Sequence, residues 1–274
     1  MPTANAPSES ELRDELVWVC HKLRAAALVV ALEGNVSCRV PGEEAILATP
    51  TMKDKGSLAA ADIAKADMTG QPRWGGPRPS SELPAHLAVY AARADIRAIV
   101  HAHPPYATSF AVAGIALDRP LLAEAVVDLG IVPIAPYGRP GAGQLAAAIA
   151  DLAKSHDVVL MANHGAICLG TTLREAFYRM ETLEHYAQIA LLTRILGGST
   201  ALSCAEVEDL LRAQGRAREK VEGLLAEIPG CPVPAGSGAG TSSGAGSGAR
   251  EYRFTREELI ALMADAMCYK DDPR

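Results

Sequence analysis

The stretch I-R-A-I-V-H-A-H-P-P, residues 96–105, is a short apolar strand that ends in two histidines and two prolines. Side chains alternate along a strand, so His101 and His103 share a face and Ala102 takes the other. Proline has no N–H to give a ladder, so the strand stops at Pro104. Working outward, residues 82–92 (E-L-P-A-H-L-A-V-Y-A-A) read as a helix with apolar positions at Leu83, Leu87 and Tyr90. E-G-N-V-S-C-R-V and A-I-L-A-T-P-T read as two strands parted by a P-G-E-E turn near Pro41. G-I-V-P-I-A-P-Y and D-V-V-L-M-A-N-H-G give two more short buried strands, with an Ala-rich helix over 143–154 between them. Helices are expected near the N-terminus (Leu12, Leu16, Val19, Leu23, Ala26, with Ser8 and Glu11 as a capping box), from Leu173 to Leu196, and from Ala205 to Ala226. Strands and helices mixed within one unit predict an α/β fold, a three-layer α/β/α sandwich. The pattern leaves the strand order open.

The chain has 274 residues and 26 basic against 32 acidic side chains, a net charge of −6. That balance argues against a nucleic-acid binder, whose affinity rests on Lys and Arg neutralising phosphates. Aromatic residues make up only 4%, which argues against base-stacking platforms. The longest apolar run, Ala25–Leu32, is far short of the roughly 20 residues of a membrane span. The N-terminus carries no signal-peptide pattern, and the six cysteines form no C-x-x-C pair. A cytoplasmic protein with reduced, core-packed cysteines is the expectation. From Ala235 to Ala249, fifteen residues come only from Gly, Ala, Ser and Thr; nothing there buries apolar area, so a flexible linker is expected. The division is a globular domain over 1–230, a linker over 231–250 and a tail over 251–274.

Two imidazoles side by side suit one metal ion, and His164 in N-H-G and Glu82 in P-S-S-E-L are the natural third and fourth donors. Three histidines and a carboxylate fit Zn2+, with Fe2+, Mn2+ and Co2+ as alternatives. His86, four residues after Glu82, shares its helix face and is expected to support the site without ligating. His21, His156 and His185 read as surface or packed histidines, and Arg139 as part of a turn.

The ordered pieces G-N-V-S (34–37), T-P-T (49–51), P-S-S-E (79–82), H-A-H-P (101–104) and N-H-G (163–165) resemble the class II aldolase/adducin family, above all its L-fuculose-phosphate aldolase and L-ribulose-phosphate 4-epimerase branch. The resemblance covers roughly residues 10–215. It implies a mostly antiparallel central sheet and a homotetramer. It implies that His101, His103 and His164 bind a divalent metal. Glu82 would be a ligand at rest and the acid/base once substrate displaces it. Gly34, Asn35, Thr49, Ser80 and Ser81 would hold a sugar phosphate. The implied reaction is aldol cleavage of a phosphorylated ketose to dihydroxyacetone phosphate and an aldehyde. Dehydration, decarboxylation, 4-epimerisation and a non-catalytic adducin-like interaction module are the alternatives.

Two departures bear on the substrate. Met52 stands where the family usually has Gly after T-P-T, which would shift an anion toward Lys53 or Lys55. Glu124 stands about where fuculose-phosphate aldolases carry a proton-donating Tyr and the methylthioribulose-phosphate dehydratases an acid/base Glu, so Glu124 is a second catalytic candidate.

In the tail, Thr255 and Glu258 form a capping box and Phe254 and Leu259 a staple. Leu259, Ile260, Met263, Ala266 and Met267 make one apolar face. Such a helix beyond a small-residue linker resembles the encapsulation peptides of bacterial microcompartment cargo. A shell protein is one expected partner and the chain's own oligomer the other; Tyr252 and Tyr269 are candidates for a catalytic tail.

Overall fold

A computed structural model describes residues 6–73, 76–139, 141 and 143–231. The chain divides after Ala235 into two units. The second unit, with the expected linker and tail helix, lies outside the described residues.

Helix α1 (Glu9–Ala25) starts where expected: Ser8 caps it, and Glu11 completes the capping box. Strands β1 (Asn35–Arg39) and β2 (Ala45–Ala48) pair antiparallel, and β3 (Ala64–Asp67) adds to β2. Helix α2 (Leu83–Ala92) and strand β4 (Ala98–Ala102) follow, then α3 (Pro105–Ala113), α4 (Ala123–Asp128) and β5 (Ile134–Ala135). Helix α5 (Gly143–Leu152) precedes strands β6 (Val158–Met161) and β7 (Gly165–Gly170) and the long helix α6 (Leu173–Ile195). The sheet order is β3-β2-β1-β4-β7-β6-β5. Every pairing is antiparallel except β5 with β6, which is parallel, so the sheet is mixed. Strand β5 is only two residues because Pro133 and Pro136 bracket it.

Alternation sorts the sheet's side chains into two cores. Val36, Cys38, Val100, Ala102 and Cys168 face α1, α3 and α6. Ile46, Ile99, Val159, Met161, Ile167 and Leu169 face α2 and α5. These are the three layers expected of the α/β/α sandwich. Asn35 pairs with His101, and His101 with Ile167, so Asn35 and His101 look toward the α2/α5 layer.

The helix expected over 205–226 is two helices, α7 (Cys204–Ala213) and α8 (Arg218–Glu227). Gly215, at φ +70°, breaks the run, because a left-handed residue cannot continue a helix. The two pack with α4 around Val126, Val207, Leu211, Val221 and Leu225. This fold-back overturns the expectation that all cysteines are reduced: Cys204 and Cys231 form a disulfide, their Cα atoms 5.7 Å apart. Twenty-seven residues of sequence separation conceal a proximity that only the turn between α7 and α8 creates. Cys20, Cys38 and Cys168 are free and buried as expected, and burial pushes the Cys20 and Cys38 thiols up to about 12. Cys268 lies outside the described residues. No helix among the described residues is long and apolar enough to cross a membrane.

Candidate metal centre and active site

His101 is the next-to-last residue of β4, in mid-sheet, and is 2% exposed; His103 follows where the chain leaves the strand. His164 lies within the hairpin turn between β6 and β7, rather than at the end of β6 as the sequence suggested. Asn163 takes φ +56° there, a left-handed conformation that asparagine tolerates, and this closes the hairpin so that His164 meets β4. Gly165 must follow, since a Cβ on it would lie 2.5 Å from both Ala102 O and His103 Cδ2. Gly34, at φ +71°, is required for the same reason: its Cβ would lie 2.9 Å from His101 O.

The three imidazoles form a near-regular triangle with ring centroids 4.8–5.0 Å apart. Their ligand atoms all lie within 4.8 Å of one another. Glu82, the residue that opens α2, points its carboxylate into this triangle: Oε2 lies 3.3 Å from His101 Nε2 and Oε1 3.1 Å from His164 Nε2. Asn35 Nδ2 donates to Glu82 Oε2 at 2.6 Å. The family-derived ligand set thus converges in space.

The far ring nitrogens fix the tautomers. His101 Nδ1 lies 2.9 Å from Ala166 O, and a carbonyl only accepts, so Nδ1 carries the hydrogen. His103 Nδ1 lies 2.9 Å from Glu33 Oε2 and donates in the same way. Two neutral imidazoles so oriented bring bare Nε2 lone pairs within 3.2 Å of each other, beside a carboxylate. Only a cation makes that arrangement favourable. Burial and the neighbouring His101 push His103 down to about 4, against the pull of Glu33, so the His103 ring is itself neutral at neutral pH. A divalent metal fits the donor set.

Behind the triangle, His86 on α2 is 2% exposed. Its Nδ1 lies 2.7 Å from Ser37 Oγ, and Ser37 Oγ lies 2.9 Å from Tyr90 OH. Burial, helped by His101, lowers His86 to about 3, so the ring is neutral. The supporting role expected for His86 therefore has a geometry. Among the described residues, the buried side-chain atoms without a hydrogen-bond partner are Asn35 Oδ1, His86 Nε2, Thr108 Oγ1 and His164 Nδ1. Three of these four belong to this one cluster, so the unmet polarity is concentrated where the ligands converge.

The expected phosphate residues divide. Ser80 and Ser81 lie on the loop leading into α2, Ser80 N donating to Thr49 O and Ser80 Oγ accepting from Glu82 N. Thr49 is fully buried and its Oγ1 accepts from Val36 N, so it braces the loop from beneath. Neither lysine is free for an anion: Lys53 pairs with Asp62 at 2.6 Å, and the buried Lys55 donates to Leu32 O and Lys53 O. Met52 is 74% exposed and holds φ +55°, the conformation that glycine adopts without cost. Glu124 is exposed in the first turn of α4. Among the described residues it has no hydrogen bond or ion pair to Glu82, and it is not on the wall of the cavity that Glu82 lines. Of the remaining histidines, His21 bonds Leu58 O, His156 pairs with Glu227, and His185 is exposed.

Glu33, Ser37 and Tyr90 were not singled out by the sequence. Ser37 was legible in principle, two residues after Asn35 on the same face of β1, and Tyr90 as the i+4 neighbour of His86. Glu33 had no such signal, because only the chain's path past Gly34 sets it against His103.

Comparison with known proteins agrees with this geometry. The 3-oxo-tetronate 4-phosphate decarboxylase of Escherichia coli K12 is 33% identical over 193 residues, covering 68% of this chain and 89% of that protein. The L-fuculose phosphate aldolase of Methanocaldococcus jannaschii is 33% identical over 184 residues, covering 67% and 98%. The crystal structure of YgbL from Klebsiella pneumoniae superposes with a TM-score of 0.70 at 34% identity, covering 75% of this chain and all of that one. Residues 14–191 match the model of the class II aldolase and adducin N-terminal domain. With the fold, the histidine triangle and these likenesses together, the chain belongs to the class II aldolase/adducin family.

Proposed function

We propose that this protein is a divalent-metal-dependent carbon–carbon lyase acting on a small phosphorylated ketose. It releases dihydroxyacetone phosphate and an aldehyde of the kind that L-fuculose 1-phosphate or L-rhamnulose 1-phosphate yields. The observation that carries the reading is the convergence of His101 Nε2 and His164 Nε2 on the Glu82 carboxylate, with His103 Nε2 3.2 Å from His101 Nε2.

His101, His103 and His164 would hold the cation, with Glu82 as fourth ligand at rest. Once bound, the cation supplies a Lewis acid for the substrate carbonyl. Glu82, freed when substrate takes its place, moves the proton at its carboxylate oxygens, and Asn35 Nδ2 keeps that carboxylate aimed. The Gly34 backbone and the Ser80 and Ser81 hydroxyls receive the phosphate through short donors, which suits a site without a free lysine. Glu124, exposed in the first turn of α4, acts in this reading from a neighbouring subunit of a tetramer.

Decarboxylation of a phosphorylated 3-oxo acid is the second reading, favoured by the relatives named as 3-oxo-tetronate 4-phosphate decarboxylases. It draws on the same cation beside the same carbonyl. Protein loaded in turn with Zn2+, Fe2+, Mn2+ and Co2+ is given both substrate classes, and dihydroxyacetone phosphate and CO2 are measured. Free dihydroxyacetone phosphate supports the first reading and CO2 the second. A protein that binds no divalent metal overturns both.

For residues 251–274, outside the described residues, the sequence supports an addressing helix for a microcompartment shell protein, with the cytoplasm as the location otherwise. Removing 235–274 is expected to leave turnover intact and to abolish co-purification with the shell. A large loss of turnover would instead place the tail in catalysis.

A further inference from the structure

Glu82 opens α2, and His86 follows one helical turn later on the same face. Between α2, α5 and the sheet lies a small cavity of about 20 Å³ lined by Glu82, His86, His101 and His164 on its polar side. Ala85, Leu145, Ala146, Ile149, Met161 and Ile167 make up most of its remaining wall and offer no side-chain hydrogen bond. A volume of this size takes one water or one carboxylate oxygen. His86 Nε2 is buried and has no hydrogen-bond partner among the described residues, which is costly unless something polar visits it.

The hydrogen-bond chain behind His86 sets what that nitrogen offers. Tyr90 OH has Ser37 Oγ as its neighbour, and Ser37 Oγ has His86 Nδ1. With Tyr90 donating to Ser37 and Ser37 donating to His86 Nδ1, the remaining ring hydrogen sits on Nε2. The reverse direction would leave an Nε2 lone pair on a cavity shared with a carboxylate, which is electrostatically the poorer choice. His86 is thus held as a neutral N–H donor on a wall it shares with Glu82.

A ligand carboxylate that yields to substrate needs somewhere to go. We propose that this cavity is the second seat of the Glu82 carboxylate, and that His86 Nε2–H is the donor that receives it there. The inference rests on the metal-dependent reading above. It makes His86 a positioning residue: it acts through Glu82 by making departure from the cation cheap and by holding the carboxylate in one place afterwards. Asn35, on the other side of Glu82, holds the resting seat.

The first test is structural and does not depend on turnover. The full chain is loaded with Zn2+ and crystallised with and without oxalate, a bidentate oxygen chelator. Without oxalate, Glu82 is expected on the zinc. With it, a Glu82 oxygen is expected within hydrogen-bond distance of His86 Nε2. Oxalate on the zinc with Glu82 elsewhere than at His86 overturns the inference and leaves the metal-dependent reading standing. Absence of zinc from the triangle overturns that reading itself.

The second test is kinetic. His86→Asn keeps a partner for Ser37 but has no group that reaches the cavity, whereas His86→Gln places an amide N–H near the position of Nε2. H86N is expected to lose about 10²-fold in kcat with KM changed less than about threefold, consistent with the cost of a misplaced catalytic group. Its resting zinc affinity is expected to equal or exceed that of the wild type, since the resting seat is untouched. H86Q is expected to recover most of the lost kcat. If H86N keeps wild-type kcat, or H86Q is as impaired as H86N at equal thermal stability, His86 is not the receiving donor.

Discussion

Asn35 Nδ2 donates to Glu82 Oε2 across 2.6 Å, joining the first residue of β1 to the residue that opens α2. The family resemblance placed Asn35 among the phosphate contacts. In the folded chain one of its amide hydrogens goes to the carboxylate, because the β1–β4 register sets Asn35 opposite His101 and both face α2. Asn35→Ala is therefore expected to lower kcat by about 10- to 100-fold through a loosened Glu82, and to weaken zinc binding by about tenfold because the resting seat of that carboxylate loses its donor. Asn35→Asp should do worse, since a second carboxylate at this distance favours a proton between the two and takes Glu82 out of its ionised form. Steady-state kinetics beside zinc titration checks the pair; an Asn35→Asp variant with wild-type kcat would be incompatible with this geometry.

Glu33 accepts from His103 Nδ1 at 2.9 Å while remaining exposed itself. Carboxylates behind ligand histidines fix the ring and strengthen its donor nitrogen. Glu33→Ala should weaken zinc binding by about tenfold or more and leave the melting temperature of the metal-free protein unchanged. Competition against a chromophoric chelator, paired with a thermal melt, reads both quantities.

Met52 occupies a left-handed backbone conformation with its side chain in solvent. A Cβ in that region costs on the order of 1 kcal/mol, and nothing packs around Met52 to offset it. Met52→Gly should raise the melting temperature by about 2 °C, and Met52→Val, β-branched at positive φ, should lower it. Calorimetry on the three proteins decides; a Met52→Val variant as stable as Met52→Gly would show that this loop relaxes.

His156 ties the loop after α5 to α8. Its Nε2 lies 2.6 Å from Glu227 Oε2, and its Nδ1 lies 3.0 Å from both Leu152 O and Ser155 Oγ, an arrangement that favours the protonated ring. Burial opposes this, but the bond to Glu227 and its charge outweigh it, and the pKa is raised above the ordinary 6.5. A raised folded pKa binds the proton more tightly than the unfolded chain does. The stabilisation is full below about pH 6.5 and is lost as the pH climbs through the raised folded value. The melting-temperature gap between wild type and His156→Gln should shrink from pH 6 to pH 9. A gap that is constant across that range would remove the ion pair from the account.

Much of the fold was legible because its signals are local. Ser8 with Glu11 marks the start of α1, short apolar runs bounded by turn residues mark β1, β2 and β4, and paired prolines end β4. The short β3 and the one-turn α4 escaped notice, since neither shows a full hydrophobic period. The single helix expected over 205–226 failed on Gly215, whose left-handed backbone outweighs an unbroken apolar pattern.

By itself the sequence determined which side chains are the candidate ligands: H-A-H on one strand face, an N-H-G turn, and a glutamate four residues before a histidine. These are chemical facts of side-chain type and short spacing, and they hold wherever the chain folds. Tertiary structure alone decided what those groups do to one another. Strand register set Asn35 against Glu82, and the turn at Asn163 brought His164 to β4. The turn at Gly215 brought Cys204 to Cys231, and helix α2 set His86 on a cavity that it shares with Glu82. Each depends on contacts between residues far apart in the chain, where no local pattern carries the information.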